Sequence, residues 1–366
     1  MNKKVAFIFP GQGAQYPGMG KDFADAFAIA RETFEEADDI LQDPLSRVIF
    51  DGPEAELTKT KNSQLAIFVV SVALLRSFQT QFKDIVPKVA QNLVARMRES
   101  SRESPIVNRS IFPILTDLRS TIPGALTRPG GQVLSHVGYQ PAVCAGLSLG
   151  EYTALWASGK MTFQETLLLV RQRANFMNEA CETVPGTMAA VLGLDGPAVQ
   201  SAIKNISGVW VANYNCPGQI VISGTEAAII EAAPALKLMG AKRVIPLQVH
   251  GAFHSGLMQK AQDQLKPFIE RAKLLDSPIA LAMNAPGDIV TDLAEIRRQL
   301  ILQVTGSVRW ESLIQSIEKS GPHQYFEIGC GKTLAGFNKK MGFPTLNVEK
   351  VSDLEKVAHE MEACSL

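Results

Sequence analysis

Residues 143–159 read VCAGLSLGEYTALWASG: a short apolar run, a Gly-x-Ser-x-Gly core, then a helical pattern. A strand that turns sharply into a helix belongs to a parallel sheet with covering helices, which excludes most other architectures for this chain. The start has a similar beginning, because Val5–Phe9 is a buried-strand pattern closed by Pro10-Gly11 and a glycine-rich turn. Ser148 sits where a nucleophile elbow would hold its hydroxyl, beside a helix N-terminus that offers dipole and free N–H groups to an oxyanion. A plain glycine-rich helix cap fits the same five residues, so other motifs must decide.

Helical patterns cover Asp22–Leu41, Ser63–Phe82, Glu151–Ser158 with Gly159 as C-terminal cap, and Phe163–Cys181. Residues 186–249 form a distinct unit. Strands are expected there at Met188–Leu192, Val209–Asn215, Gln219–Ser223 and Arg243–Val249, with helices at Pro197–Ile206 and from Thr225 to Gly240. That is the βαββαβ order of a ferredoxin-like subdomain. The body, residues 1–185 and 250–366, resumes with ALAMNAPG. It continues with helices near Leu293–Gln303 and Trp310–Lys319, the strand Tyr325–Ile328 and a last helix around Leu354–Glu362. Residues 84–134 change texture: an amphipathic stripe from Val86 to Met97, then an Arg- and Ser-bearing tract, read as an insertion in the body. The fold class expected is α/β, a parallel-sheet body carrying an inserted ferredoxin-like subdomain.

Composition narrows the function classes. Lys plus Arg and Asp plus Glu both number 36, so no global charge draws the chain to nucleic acid or an anionic membrane. Five scattered cysteines without CxxC or Cys/His spacing argue against a disulfide framework or a zinc site. The start shows no secretory or transit pattern, and no apolar run is read as long enough to span a membrane. A cytoplasmic, globular protein is expected.

A serine nucleophile needs a base. Of five histidines, His136 lies in the irregular tract, His323 in a turn and His359 on a charged terminal helix. His250 and His254 remain, in QVHGAFHSGLM, and small neighbours leave room around His254. Arg173 interrupts an apolar stripe of Leu169, Phe176 and Ala180. An arginine there is either a structural ion pair, a snorkelling chain or a fork for a substrate carboxylate. Gln12, between two glycines, can present a backbone N–H to a substrate. EIGCGKT lacks the first glycine of a phosphate loop, since Phe326 stands there, and leaves only a helix N-terminus for some other anion.

FPGQGAQYPGMG, GLSLGEYTAL, the arginine of RANFM, NYNCPGQIVISG, GAFHSGLM, SVRW and EIGCGKTLAG occur in one order. Together they resemble the malonyl-CoA:acyl-carrier-protein transacylase family over nearly the whole chain except residues 84–134. The resemblance implies an α/β-hydrolase-like body with the ferredoxin-like subdomain, and a role for each matching position. Ser148 would carry the malonyl ester and His254 would be base, then acid. The backbone carbonyl of Gln303 would orient the imidazole, and the N–H groups of Gln12 and Leu149 would form the oxyanion hole. Arg173 would hold the malonyl carboxylate, and Gln64, Phe253, Asn213 and Asn215 would line the substrate site. Leu147 replaces the histidine many members carry before the nucleophile, and Phe253 matches the malonyl-selective form.

The implied partners are malonyl-CoA and the phosphopantetheine thiol of acyl carrier protein, in fatty-acid or polyketide synthesis. No metal or redox cofactor and no nucleic-acid or membrane partner is implied, and a monomer is expected. With His254 oriented by a carbonyl, the acylation rate is expected to inflect near neutrality. Two other classes fit parts of the pattern: a serine hydrolase or thioesterase, which would want an acidic partner for His254, and a non-catalytic acyl-CoA-binding scaffold.

Overall fold

Phe7 and Phe9 face one side of strand β1 (Lys4–Phe9), Ala6 and Ile8 the other, and each pair enters a different core. The continuous apolar run of β1 is what a central parallel strand requires, since both its faces are covered. In this computed structural model, which describes residues 4–82, 140–321 and 323–364, β1 lies at the middle of the body sheet. The segment 84–134, its Val86–Met97 stripe and His136 lie outside the described residues.

The body sheet runs β10 (Thr345–Val348), β9 (His323–Ile328), β1, β2 (Val143–Gly146), β7 (Ala280–Met283), β8 (Asp288–Val290). Every neighbouring pair is parallel except β7–β8. On the Phe7 face, helix Thr60–Phe82 brings Phe78 edge-on to Phe7, ring centroids 5.7 Å apart. By length and composition that helix is apolar enough to cross a membrane, contrary to the sequence reading. Its apolar window is 78% buried within the protein, which identifies the central helix of a core. The opposite face is closed by Trp310, Leu313, Ile314 and Ile317 of helix Trp310–Lys319.

The second sheet runs β4 (Val209–Cys216), β5 (Gln219–Gly224), β3 (Thr187–Leu192), β6 (Arg243–Pro246), all antiparallel. Helices Gly196–Ile203 and Glu226–Leu238 give it a core of its own, with Val199, Ile203, Ala232 and Leu236 buried. Asp195 and Thr225 cap them, accepting from the N–H groups of Ala198 and Ala228. In chain order this is the βαββαβ pattern of a ferredoxin-like fold. β4 also touches the body: Tyr214 N–H donates to the Val308 carbonyl and Val308 N–H to that of Ala212, each 2.8 Å.

Several expectations are corrected. Asp22–Leu41 is two helices, Lys21–Ala26 and Ala28–Leu41, because Phe27 is extended at φ −126°, ψ 123°. β6 stops at Pro246 rather than Val249, although Leu247 N–H still donates to the Met188 carbonyl. His323 is not in a turn: it is buried and opens β9. The hairpin strand β8, the edge strand β10 and helix Gln259–Arg271 were not read from the sequence. The strands are three and four residues long, and Pro267 interrupts the helical pattern from inside.

Candidate active site

Ser148 stands between β2 and helix Gly150–Ala157 at φ 52°, in the left-handed region. For a residue with a side chain this costs about 1–3 kcal/mol. The glycines around it make the turn possible. A Cβ on Gly146 would lie 2.0 Å from the Gly150 carbonyl carbon, and one on Gly150 would lie 2.2 Å from the Phe9 carbonyl oxygen. The side chain of Asn284, just past β7, accepts from Ser148 N–H at 2.6 Å and donates to the Gly146 carbonyl at 2.7 Å. At the start of the following helix the N–H groups of Gly150, Glu151 and Tyr152 already donate to the Leu147, Ser148 and Leu149 carbonyls, and Leu149 stands just before them at the N-cap.

His254, also left-handed at φ 57°, is 3% exposed on the loop after β6. Its Nδ1 is 2.9 Å from the carbonyl oxygen of Gln303 and 3.2 Å from that of Gly306. A carbonyl only accepts, so Nδ1 carries the proton and Nε2 is the basic nitrogen. Nε2 lies 2.7 Å from Ser148 Oγ and accepts from the hydroxyl. Burial, and after it the Arg173 charge, lower the imidazole to about 4, so it stands neutral at physiological pH. The inflection expected near neutrality thereby moves to acidic pH: the resemblance implied the carbonyl partner but not the burial or the adjacent guanidinium. His250 is exposed at the rim of the cleft.

Arg173 rises from helix Phe163–Thr183 beneath the serine and is 1% exposed. Its guanidinium donates to Ser148 Oγ at 3.1 Å, to Gln303 Oε1 at 3.0 Å and to Gln64 Oε1 at 2.5 Å. It also lies over the Tyr152 ring. None of these partners is an anion. Among the described residues no carboxylate comes within ion-pair distance of Arg173, and its Nε–H has no hydrogen-bond partner. Of the three readings of this arginine, the structural ion pair is therefore excluded within those residues, and its burial does not fit a snorkelling chain. A buried cation without a counter-ion is electrostatically costly unless an anion is meant to arrive.

A cavity of about 350 Å³ opens above the Ser148–His254 pair. Gln12, Leu147, Phe253, Asn213 and Asn215 line it, and Met177, Met188 and Val221 make its wall largely apolar. Asn213 and Asn215, two apart on β4, face it together, and Asn215 Oδ1 is buried without a partner among the described residues. Neither Gln64, expected on the cavity wall, nor Arg173 is there: both are buried beneath it, and Gln64 accepts from the Arg173 guanidinium. In EIGCGKT, the buried Glu327 accepts from the N–H groups of Leu334 and Ala335. The chain's own carboxylate thus fills the helix N-terminus that the sequence left open for an anion, while Thr333 reaches the cleft. Among the described residues no group of three or more His, Cys, Asp or Glu could hold a metal ion.

The chain matches the family model described as acyl transferase domain over residues 6–84 and 131–319, a match interrupted across most of the segment set apart in the sequence. It is 36% identical over 358 residues to the malonyl CoA-acyl carrier protein transacylase of Bacillus subtilis, covering 97% of this chain and 95% of that one. The crystal structure of the acyl-carrier-protein S-malonyltransferase of Burkholderia pseudomallei superposes with a TM-score of 0.78 at 34% identity, covering 97% and 99% of the two chains. The Streptococcus pneumoniae structure does so with a TM-score of 0.78 at 32% identity, covering 98% and 100%. A malonyl-transacylase in complex with a type II polyketide synthase acyl-carrier protein also gives 0.78, at 30% identity and coverage of 98% and 99%.

The chain belongs to the malonyl-CoA:acyl-carrier-protein transacylase family.

For a member of this family, sequence reasoning missed the layer under the reacting groups. Glu151, 0% exposed, accepts from Asn284 N–H and from Gln303 Nε2, the latter at 3.1 Å, and burial pushes its carboxyl up to about 8. Gln303 Nε2 also donates to the Ser148 carbonyl at 2.7 Å. An acid in the first turn after the elbow was the available signal for Glu151. Nothing local marks Asn284, whose side-chain partners lie more than a hundred residues away.

Proposed function

We propose that Ser148 and His254 are the nucleophile and base of malonyl transfer and that Arg173 is the anchor of the malonyl carboxylate. One observation carries the assignment: Ser148 Oγ lies within hydrogen-bond reach of both the basic His254 Nε2 and a buried guanidinium that has no carboxylate within ion-pair distance among the described residues. His254 Nε2 takes the hydroxyl proton as Oγ attacks the thioester carbonyl of malonyl-CoA. The N–H groups of Gln12 and Leu149 receive the oxyanion. The C–S bond breaks, the CoA sulfur leaves with the proton from His254, and malonyl stays as an ester on Ser148. The phosphopantetheine thiol of acyl carrier protein then gives its proton to His254 and attacks the ester. The Ser148 oxygen leaves and recovers that proton. Asn213, Asn215 and Phe253 shape the path of the acyl group, and Gln64 steadies Arg173. We place the ferredoxin-like subdomain at residues 186–249 and propose a cytoplasmic monomer.

The hydrolase reading asks for a carboxylate at His254 Nδ1, where two carbonyls stand instead. Arg173→Ala tests the anchor. Removing one partner of a buried charge pair costs about 2–5 kcal/mol, or roughly 30- to several-thousand-fold in kcat/KM for malonyl-CoA. Acetyl-CoA, which has no carboxylate to lose, falls far less or rises. An equal loss with both thioesters makes Arg173 structural.

A further inference from the structure

We infer that Glu151 is a positioning residue of the acyl transfer, fixing Ser148, His254 and Arg173 relative to one another through Asn284 and Gln303. The inference rests on the dyad assignment above. Each reacting or anchoring group is held by one of those two residues. Asn284 clamps both sides of the elbow, at Ser148 N–H and the Gly146 carbonyl. Gln303 uses its main-chain carbonyl on His254, its Oε1 on Arg173 and its Nε2 on the Ser148 carbonyl. A primary amide turned over presents NH₂ where oxygen was, and for Gln303 that would set donor against donor at the guanidinium. What selects the correct orientation is an acceptor facing Nε2. The Ser148 carbonyl supplies one such acceptor and Glu151 a second with one carboxyl oxygen, while its other oxygen holds the main chain of Asn284. A carboxyl group is costly to bury, and Leu or Met would fill this position without that cost. Its two oxygens meet two N–H donors that belong to the two residues steering the site.

The test is Glu151→Gln, which keeps the shape but puts an NH₂ toward one of two donors, with Glu151→Asp as the milder variant. Active sites are first titrated with a fluorophosphonate on the wild-type enzyme. Stoichiometric labelling of Ser148 with loss of malonyl transfer upholds the dyad, and labelling elsewhere overturns that parent reading instead. Per titrated site, Glu151→Gln is expected to lower kcat for malonyl and acetyl transfer roughly 10- to 100-fold, the scale of small misplacements. It should also raise KM about tenfold or more for malonyl-CoA alone, as Arg173 loses its Gln303 acceptor. Glu151→Asp should show the same split in smaller measure, and it decides the matter if Glu151→Gln does not fold. A folded variant with fewer titratable sites but normal kcat and KM per site would mean that Glu151 only supports the fold. Normal values in both variants would likewise overturn the inference.

Discussion

Among single residues, the position of one proton decides the proposed chemistry. His254 must be neutral to accept the serine proton, so its protonation abolishes acylation as pH falls. The imidazole of the free enzyme is lowered to about 4 by burial and by Arg173. The profile of kcat/KM for malonyl-CoA, which reports the free enzyme, should therefore stay level below neutrality and fall only as pH approaches that value. Once the malonyl carboxylate sits on Arg173, part of the push on His254 is cancelled. The inflection in kcat should then lie at higher pH than that in kcat/KM, and with acetyl-CoA the two should coincide. Stopped-flow acylation across acidic pH reads both, and a kcat/KM that halves near pH 6.5, the reference imidazole value, would contradict the burial argument. Ser148, His254 and Arg173 were legible because each carries a local anomaly: glycines around a serine, small residues around a histidine, a cation in an apolar stripe. Glu151 and Asn284 were not, because their meaning lies in contacts between distant segments.

At the scale of elements the elbow is the demanding part. Its turn brings Gly150 against the β1 carbonyls so closely that an added Cβ meets the main chain, with no flexible side chain to yield. Gly150→Ala should lower stability by about 1–3 kcal/mol or more and depress acylation with it. Gly336 supplies the opposite case, lying inside helix Thr333–Lys340 with nothing among the described residues within 4 Å of its Cβ position. Gly336→Ala should stabilise by about 0.5–1 kcal/mol at unchanged activity. Thermal unfolding of both variants checks the pair, and equal shifts would show that the elbow has more room than the structure gives it. The long buried strands and capped helices were readable because their periodicity is strong. β8, β10 and the Pro267-bearing helix were not, because short edge strands and an internal proline carry little pattern.

At the scale of the molecule, the described chain leaves the body at Phe82 and re-enters at Gln140, ahead of β2. Ser148 stands beyond the other end of β2, where active sites of parallel sheets gather. Joining Lys83 to Gly138 through a Gly/Ser linker should therefore leave a folded enzyme with near-normal malonyl transfer. A soluble, folded deletion that cannot acylate Ser148 would place the segment in the site. The βαββαβ order was legible in the sequence, but the contact of β4 with Val308, which joins the subdomain to the segment after Gln303, was not. The central claim, that malonyl passes through Ser148, is tested most directly by intact-protein mass after mixing with malonyl-CoA, followed by peptide mapping. The account predicts one malonyl group on the peptide bearing Ser148, stable in buffer, absent from Ser148→Ala and discharged onto holo-acyl carrier protein when that is added. Release of free malonate without a transferable adduct, or an adduct that survives in Ser148→Ala, would contradict it.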